Sequence, residues 1–222
     1  MKDIFLLDMD ETLLDFSRAE EVNFFGTMER FGLRADAEVY ARFHTINDDL
    51  WKLLERGGIT RDEIKVQRFQ RLFEEYGYAA DAEAVAGAYF ENFCNLCFPF
   101  EGAIELLATL KARGRVYIVT NGGAVIQKAH IRDAGFAPYL DGVFISEEVG
   151  FNKPSKEYAD FVKAHIPDFA EARAMWLGDS LTSDMVCAKR ANVDFILYAP
   201  AGVLSERVAT NYAEVLRILE TL

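Results

Sequence analysis

The chain has 222 residues, 51% of them hydrophobic, which suffices for one large domain or for a domain with a sizeable insertion. It carries 36 acidic and 24 basic residues, so its formal net charge at pH 7 is -12. This charge would repel nucleic acid polymers and anionic membranes, and an anionic substrate would need local positive charge or a metal ion to bind.

Cysteine content and hydropathy exclude further classes. The three cysteines, Cys94, Cys97 and Cys187, do not make a disulfide framework. The spacing of Cys94 and Cys97 would fit a redox motif or half of a zinc site, but zinc would need two more ligands, so we interpret both as ordinary thiols. The N-terminus has no signal-peptide pattern, and no apolar stretch reaches the ~20 residues that span a bilayer. We therefore expect a soluble cytoplasmic protein.

The first apolar run covers residues 4–7 and leads directly into Asp8 and Asp10. An uninterrupted apolar run predicts a strand that is buried on both faces of a parallel sheet. In open α/β sheets, ligands bind beyond the carboxyl ends of the strands, where these two aspartates would lie. Aspartate is also common in turns, so this pattern alone leaves a solvated turn as the alternative.

Residues 16–98 predict helices without intervening strands. Apolar residues recur at helical spacing in four segments, and the first two patterns end at Phe31 and Leu53. Thr60 begins a capping box for the third helix, and Asp81 caps the fourth. Short connections predict an antiparallel four-helix bundle. The resulting domain prediction is an inserted helical domain at residues 15–98 and a second domain made of residues 1–14 and 99–222.

After Pro99 the chain alternates between predicted strands and helices. The predicted strands cover residues 116–119, 143–145, 174–177 and 195–198, and the predicted helices cover residues 103–112, 124–134, 156–165, 182–191 and about 211–219. Such alternation produces right-handed βαβ units. The predicted fold class is therefore α/β, with a Rossmann-like parallel sheet flanked by helices and an inserted all-helical domain.

Polar residues follow the ends of several predicted strands. Thr120 and Asn121 follow the second predicted strand, and Asp179 follows the fourth. Lys153 lies in the loop after the third strand, and Asp184 lies one turn into the predicted helix at residues 182–191. Because parallel strands end at the same edge of a sheet, we expect these side chains to lie near Asp8 and Asp10. Converging carboxylates need a compensating cation, and oxygen ligands without histidine favour Mg²⁺ over zinc or copper. Lys153, Thr120 and the backbone amides of residues 121–123 would bind an anion, so the sequence predicts a site for a phosphoryl group.

Four motifs resemble, in order and in context, those of the haloacid dehalogenase-like superfamily of aspartyl-phosphate hydrolases. They are Asp8-Met9-Asp10-Glu11-Thr12, Thr120-Asn121, Lys153-Pro154, and Gly178-Asp179-Ser180 with Asp184. The inserted helices look like the first type of cap in that superfamily. One departure is Glu11, where many relatives have glycine. The presence of Asp10 favours phosphate esters as substrates, because the dehalogenases of the superfamily lack an acid at that position.

The resemblance implies a role for each of these residues. Asp8 would be the nucleophile that forms an aspartyl phosphate, and Asp10 would be the general acid and base. Mg²⁺ would be bound by Asp8, the backbone carbonyl of Asp10 and Asp179, with Asp184 bound directly or through water. The phosphoryl oxygens would be bound by Thr120, Asn121, Gly122 and Lys153. Phe16, at the expected hinge of the cap, is a candidate substrate contact.

Within the superfamily, residues 10–16, residues 178–184 and Leu197-Tyr198-Ala199-Pro200 look most like the pyrimidine 5′-nucleotidase branch. The expected partner is a small-molecule phosphate ester, a nucleoside 5′-monophosphate, with phosphoglycolate and sugar phosphates as alternatives. A receiver-type signalling domain also carries an aspartyl phosphate, but the inserted helices and Asp10 argue against that class. The histidines, His44, His130 and His165, are interpreted as structural or exposed residues away from the strand ends.

Overall fold

The computed structural model of the protein describes residues 3–170, 172–199 and 208–221. Pro200, which is part of the resemblance to nucleotidases, lies outside the described residues. The chain divides into two compact units: unit 1 comprises Met1–Asp15 and Phe98–Leu222, and unit 2 comprises Phe16–Cys97. None of the described helices is both long and apolar enough to cross a membrane.

The described elements follow the alternation that the sequence predicts. The strands are β1 (Asp3–Leu7), β2 (Gly114–Thr120), β3 (Gly142–Ile145), β4 (Ala174–Gly178), β5 (Asp194–Tyr198) and β6 (Val208–Ala209). The α-helices are α1 (Phe16–Arg30), α2 (Ala37–Glu55), α3 (Arg61–Tyr76), α4 (Ala82–Phe93), α5 (Ala103–Arg113), α6 (Ala124–Asp133), α7 (Ser146–Val149), α8 (Lys156–His165), α9 (Asp184–Ala191) and α10 (Tyr212–Thr221).

The described strands of unit 1 form one parallel sheet in the order β3-β2-β1-β4-β5-β6. β1 lies centrally between β2 and β4, and its apolar residues 4–7 are each at most 1% exposed. Leu7 pairs with Ile118 and with Leu177, so these three strands end at nearly the same level. The strand order reverses beside β1, which is where ligands bind in open parallel sheets. The predicted α/β fold class is confirmed.

Unit 2 consists of four helices around an aromatic core. The rings of Phe24, Phe43, Phe69 and Tyr89 pack with neighbouring centroids 4.7 to 5.7 Å apart. The backbone N–H of Glu63 donates to the Thr60 hydroxyl, and the Glu63 carboxylate accepts from the Thr60 backbone N–H, so the predicted capping box is present on α3. Asp81 caps α4 by accepting from two backbone N–H groups, as predicted.

Two apolar residues of unit 2 do not follow the predicted pattern. Phe31 lies just beyond the last residue of α1 and is 36% exposed, because the chain leaves the helix there and Gly32 takes a φ of 66°. Leu53 is 37% exposed, whereas its neighbour Leu54 is buried. An interpretation by helical spacing alone misplaces such residues at the end of a helix, where the chain changes direction.

The two segments at which the chain passes between the units lie side by side. The Asp15 N–H donates to the Phe98 carbonyl at 2.8 Å, and the Phe100 N–H donates to the Leu13 carbonyl at 3.0 Å. Leu14 also forms an antiparallel bridge with Pro99. Backbone hydrogen bonds therefore hold residues 13–15 against residues 98–100.

Candidate active site

The turn after β1 sets the positions of Asp8 and Asp10. The Asp8 N–H donates to the Leu177 carbonyl at 2.8 Å, which continues the pairing with β4 by one residue. The chain then turns back, and Glu11 takes a φ of 56°, in the left-handed region that favours glycine. The residue at which this chain departs from many relatives is thus the residue at which the turn requires a positive φ.

Lys153 joins two of the predicted site carboxylates. Its Nζ donates to Oδ1 of Asp8 and to Oδ1 of Asp184, each at 2.7 Å, and to the Val119 carbonyl at 2.9 Å. Burial of this side chain disfavours the charged form, but the carboxylates of Asp184 and Asp8 outweigh that effect and raise the pKa of Lys153 well above its ordinary value. The ammonium therefore stays charged, and its three hydrogens have three acceptors.

Asp184 is completely buried and fixed by several donors. Its Oδ1 accepts from Lys153 and also from the Trp176 indole Nε1 at 3.2 Å, and its Oδ2 accepts from the Ser180 N–H at 3.3 Å. Gly178 makes room for this carboxylate, because a Cβ at Gly178 would lie 2.4 Å from it. Asp184 thus holds Lys153 in a fixed position against Asp8.

Asp179 completes an acidic cluster with Asp8 and Asp184. One carboxylate oxygen from each of the three residues lies within 4.8 Å of the others. Burial, and then repulsion by Asp184, raise the pKa of Asp179 to about 7. Burial and repulsion by Asp184 likewise raise the pKa of Asp8 well above its ordinary value, although Lys153 opposes them. One ammonium does not balance three carboxylates, and a hard divalent cation with oxygen ligands fits this set of donors.

The loop between β2 and α6 carries the residues predicted to bind phosphate. Thr120 is the last residue of β2 and is buried, and its Oγ1 accepts from the Gly122 N–H at 3.0 Å. The Asn121 side chain makes two hydrogen bonds to the backbone of Lys153, accepting from its N–H at 2.8 Å and donating to its carbonyl at 2.9 Å. The Asn121 side chain therefore positions the loop that carries Lys153, a contact that the sequence did not reveal.

Two backbone N–H groups near the start of α6 already donate hydrogen bonds within the protein. The Ala124 N–H donates to a carboxylate oxygen of Glu147 at 2.6 Å. The amide of Gly122 is already bonded to Thr120. The sequence predicts that the backbone amides of residues 121–123 bind the anion. In the structure, the Gly122 amide already donates a hydrogen bond within the loop, to Thr120.

Asp10 has a hydrogen-bond partner of its own. The Nε2 of Gln127 donates to Oδ2 of Asp10 at 2.8 Å, while Oδ1 is buried with no hydrogen-bond partner among the described residues. Burial raises the pKa of Asp10, and His130, Gln127 and Lys153 partly oppose this shift. A carboxyl group that retains its proton more readily than usual suits a general acid.

Two of these neighbours of Asp10 were missed from the sequence. Nothing in the sequence distinguishes Gln127, because a neutral side chain within a helix carries no charge signal. His130 is only 2% exposed, in agreement with its interpretation as a structural residue, but it acts electrostatically on Asp10 and lowers the pKa of that carboxyl, an influence the sequence interpretation did not include. Both residues lie on α6, three positions apart, and helical spacing would have placed them on one face.

Phe16, the remaining predicted site residue, is the first residue of α1. Its ring packs against that of Phe93 within unit 2, with centroids 5.2 Å apart. Contact between Phe16 and a substrate stays a prediction.

Comparison with known proteins identifies the family. A family model for haloacid dehalogenase-like hydrolases matches residues 2–192. A Bacillus subtilis (strain 168) protein named as a HAD-hydrolase, YfnB, is 36% identical over 189 residues, which cover 85% of this chain and 80% of the relative. The pyrimidine 5′-nucleotidase PynA of Streptococcus pneumoniae (strain ATCC BAA-255 / R6) is 34% identical over 197 residues, 88% of this chain and 83% of the relative. The pyrimidine 5′-nucleotidase YjjG of Escherichia coli (strain K12) is 27% identical over 187 residues, 83% of this chain and 80% of the relative.

A solved structure agrees with these sequence matches. The crystal structure of Bacillus subtilis YfnB bound to magnesium matches with a TM-score of 0.93 and 33% identity, over 99% of both chains. The match therefore extends over nearly the whole of both chains. With the family model spanning residues 2–192 and two relatives above 30% identity, the chain belongs to the family of haloacid dehalogenase-like hydrolases.

Proposed function

We propose that the protein is a Mg²⁺-dependent phosphomonoester hydrolase whose substrates are nucleoside 5′-monophosphates. The observation that carries the proposal is the different surroundings of two aspartates in one turn. Asp8 lies in the acidic cluster against Lys153, whereas Asp10 is held by Gln127. One carboxylate can attack phosphorus while the other transfers protons, which is the division of work that hydrolysis through an aspartyl phosphate requires.

In the first half-reaction, a carboxylate oxygen of Asp8 attacks phosphorus, and the bond from phosphorus to the ester oxygen breaks. Asp10 gives its proton to the departing oxygen, so the alcohol leaves as a neutral molecule. Lys153, fixed by Asp184, offsets negative charge on the phosphoryl oxygens. The Thr120 hydroxyl accepts from Gly122, and its own hydrogen can be donated to the same phosphoryl oxygens.

In the second half-reaction, water attacks the phosphorus of the aspartyl phosphate. Asp10, now ionised, takes a proton from that water, and the bond between phosphorus and the Asp8 oxygen breaks. Inorganic phosphate leaves, and both aspartates return to their starting states. The cycle uses Asp10 first as an acid and then as a base, so its carboxyl must exist in both protonation states.

Asp8, Asp179 and Asp184 would hold Mg²⁺, with the backbone carbonyl of Asp10 as a further oxygen ligand. When bound, the ion supplies positive charge that keeps the neighbouring carboxylates ionised and stabilises charge on a phosphoryl group. Both oxygens of Asp184 already accept hydrogen bonds, from Lys153 and from the Ser180 N–H. Asp184 would therefore help to hold the ion directly or through water.

The choice of a nucleotide as substrate is supported by the residues that resemble the nucleotidase branch and by the names of PynA and YjjG. The test is a panel of phosphate monoesters assayed with Mg²⁺ or with EDTA, on the wild type and on Asp8→Asn. We expect Mg²⁺-dependent release of phosphate by the wild type and a loss of about 10³-fold or more in Asp8→Asn. Asp62→Asn, an exposed aspartate in unit 2, is the matched control and should behave as the wild type.

The outcomes separate the reaction from the substrate. No Mg²⁺-dependent turnover of any ester, or an unchanged rate in Asp8→Asn, would contradict the hydrolase proposal. Faster turnover of sugar phosphates or phosphoglycolate than of nucleoside 5′-monophosphates would contradict only the assignment of the substrate.

A further inference from the structure

Gln127 is a buried, neutral side chain of α6 whose amide lies against the proposed acid and base. We infer that Gln127 is a positioning residue that holds the Asp10 carboxyl in place for proton transfer in both half-reactions, an inference that rests on the proposed function. This role differs from those of Asp8 and Lys153, because Gln127 would contact neither the metal nor the phosphoryl group.

One hydrogen bond joins Gln127 and Asp10, and each side chain has one further oxygen without a hydrogen-bond partner among the described residues. The Nε2 of Gln127 donates to Oδ2 of Asp10 at 2.8 Å, and Gln127 is 1% exposed. Oδ1 of Asp10 and Oε1 of Gln127 are both buried without a hydrogen-bond partner among the described residues. A buried polar atom without a partner is destabilising, so an arrangement that leaves two of them is not one that maximises stability. One carboxyl oxygen is fixed, and the other remains available to carry the transferred proton.

An amide suits a partner that changes its protonation state. The NH₂ group donates to Oδ2 of Asp10, and Oδ2 can accept that hydrogen bond whether or not Oδ1 carries a proton. A lysine or a glutamate in this place would strongly favour one of the two states, through its charge. Gln127 can therefore hold Asp10 both before and after it gives up its proton.

The loop before α6 is shaped to admit this side chain. A Cβ placed on Gly122 would lie 2.2 Å from Nε2 of Gln127, far closer than real atoms approach. The amide end of Gln127 is flexible and would move away, so Gly122→Ala should displace the amide from Asp10 without unfolding the protein. Gly122 thus provides a second way, independent of Gln127 itself, to break the contact.

The experiment measures how kcat/KM depends on the leaving group, because this constant reports the steps up to departure of the alcohol. Phenyl phosphate needs protonation of its leaving oxygen, whereas 4-nitrophenyl phosphate has a good leaving group and needs little. In Gln127→Met, with Mg²⁺ present, we expect kcat/KM to fall by about tenfold or more for phenyl phosphate and by less than about threefold for 4-nitrophenyl phosphate. Gly122→Ala should show the same preference for the good leaving group.

Lys128→Gln is the matched control, since Lys128 is the next residue of α6 and its exposed side chain pairs with Glu148. It should leave both rate constants near those of the wild type. Equal losses on the two esters in both variants, or no loss in either, would overturn the inference while leaving the hydrolase proposal intact. A wild type without Mg²⁺-dependent turnover of either ester would overturn both.

Discussion

Lys153 is the residue on which the electrostatics of the site depend. It is the charged donor between Asp8 and Asp184, all three being at most 8% exposed. Replacing it by methionine keeps much of the side-chain volume but leaves two buried carboxylates without their cation. We expect Lys153→Met to lower kcat/KM by about 10²-fold or more, and to lower the free energy of unfolding by about 3 kcal/mol. Phosphate release with Mg²⁺ and urea unfolding in EDTA measure the two effects.

A double variant separates the stability effect from the catalytic one. Asp184→Asn removes one of the two charges that Lys153 neutralises, and the amide oxygen can still accept from Trp176. Lys153→Met with Asp184→Asn should therefore regain part of the lost stability but none of the activity. Recovery of activity in the double variant would show that Lys153 acts only by neutralising Asp184.

Glu11 holds a backbone conformation that a glycine would adopt more readily. Its φ is 56°, and a residue with a Cβ pays about 1–2 kcal/mol for that region, while glycine loses more entropy on folding. We expect Glu11→Gly to raise the free energy of unfolding by about 0.5–1 kcal/mol, measured by urea unfolding. Glu11→Ala removes the same carboxylate but keeps the Cβ, so it should show no such gain. Equal stabilities of the two variants would mean that the charge, and not the backbone, decides the effect.

At the scale of residues, charge and position made the main site predictable. Asp8, Asp10 and Asp179 lie within three residues of the ends of apolar runs, and parallel strands bring such positions to one edge. Gln127 and the bonds between Asn121 and Lys153 were not predictable, because amides carry no charge and their partners are 117 and 32 residues away in the chain. Such contacts depend on packing, which a single sequence does not display.

In unit 2, a buried carboxylate connects helices α1 and α2. Glu20 is completely buried, and its two oxygens lie 2.6 Å from Nδ2 of Asn47 and 2.5 Å from Nδ1 of His44. Glu20→Ala leaves the Asn47 donor buried without this acceptor, and we expect a loss of about 2–3 kcal/mol in the free energy of unfolding. Glu20→Gln keeps an acceptor for Asn47 and should lose about half as much.

Urea unfolding of both variants measures this difference. Glu21→Ala, at the exposed position next to Glu20, is the control and should stay within about 0.5 kcal/mol of the wild type. If Glu20→Ala is no less stable than Glu21→Ala, the buried contact does not hold α1 to α2.

The elements themselves were predictable where local chemistry marks them. The capping box at Thr60 and the cap at Asp81 gave the starts of α3 and α4, since these side chains bond the first free N–H groups of the helix. β6 was missed, because its two residues, Val208–Ala209, are too few for an apolar pattern. The one-turn helix α7 is likewise too short for the sequence to predict. Short elements exist through their tertiary pairing, which local sequence does not encode.

For the whole molecule, the carboxylate cluster of the site opposes folding in the absence of a metal ion. Asp8 is far in the chain from Asp179 and Asp184, so folding itself brings the three carboxylates within 4.8 Å of one another. At an effective dielectric constant of about 20, two charges at that distance repel by about 3 kcal/mol. Protonation relieves this repulsion, as the raised pKa of Asp179 indicates, and a bound Mg²⁺ would relieve it under the proposed function.

The sign of the pH dependence follows from the pKa of Asp179. Its folded-state pKa of about 7 exceeds the ordinary value of 3.8, so the carboxyl keeps its proton more readily in the folded protein. Ionising it therefore destabilises the fold, and in EDTA this contribution lowers the stability as the pH rises from 3.8 to about 7. Below 3.8 the carboxyl is protonated in both states, and the contribution vanishes.

Asp179→Asn should accordingly make the metal-free protein more stable and the enzyme inactive. In EDTA at pH 7.5 we expect the melting temperature of the variant to exceed that of the wild type by about 2–4 °C, which corresponds to about 1 kcal/mol in the free energy of unfolding, with a smaller gain at lower pH.

Mg²⁺ should raise the melting temperature of the wild type much more than that of the variant. The reason is that a ligand at about 100 times its dissociation constant stabilises the protein that binds it by about 2.7 kcal/mol. Asp62→Asn should follow the wild type in both buffers. A variant that melts no higher than the wild type in EDTA would show that Asp179 does not destabilise the metal-free fold. A variant that keeps the full response to Mg²⁺ would show that Asp179 does not bind the ion.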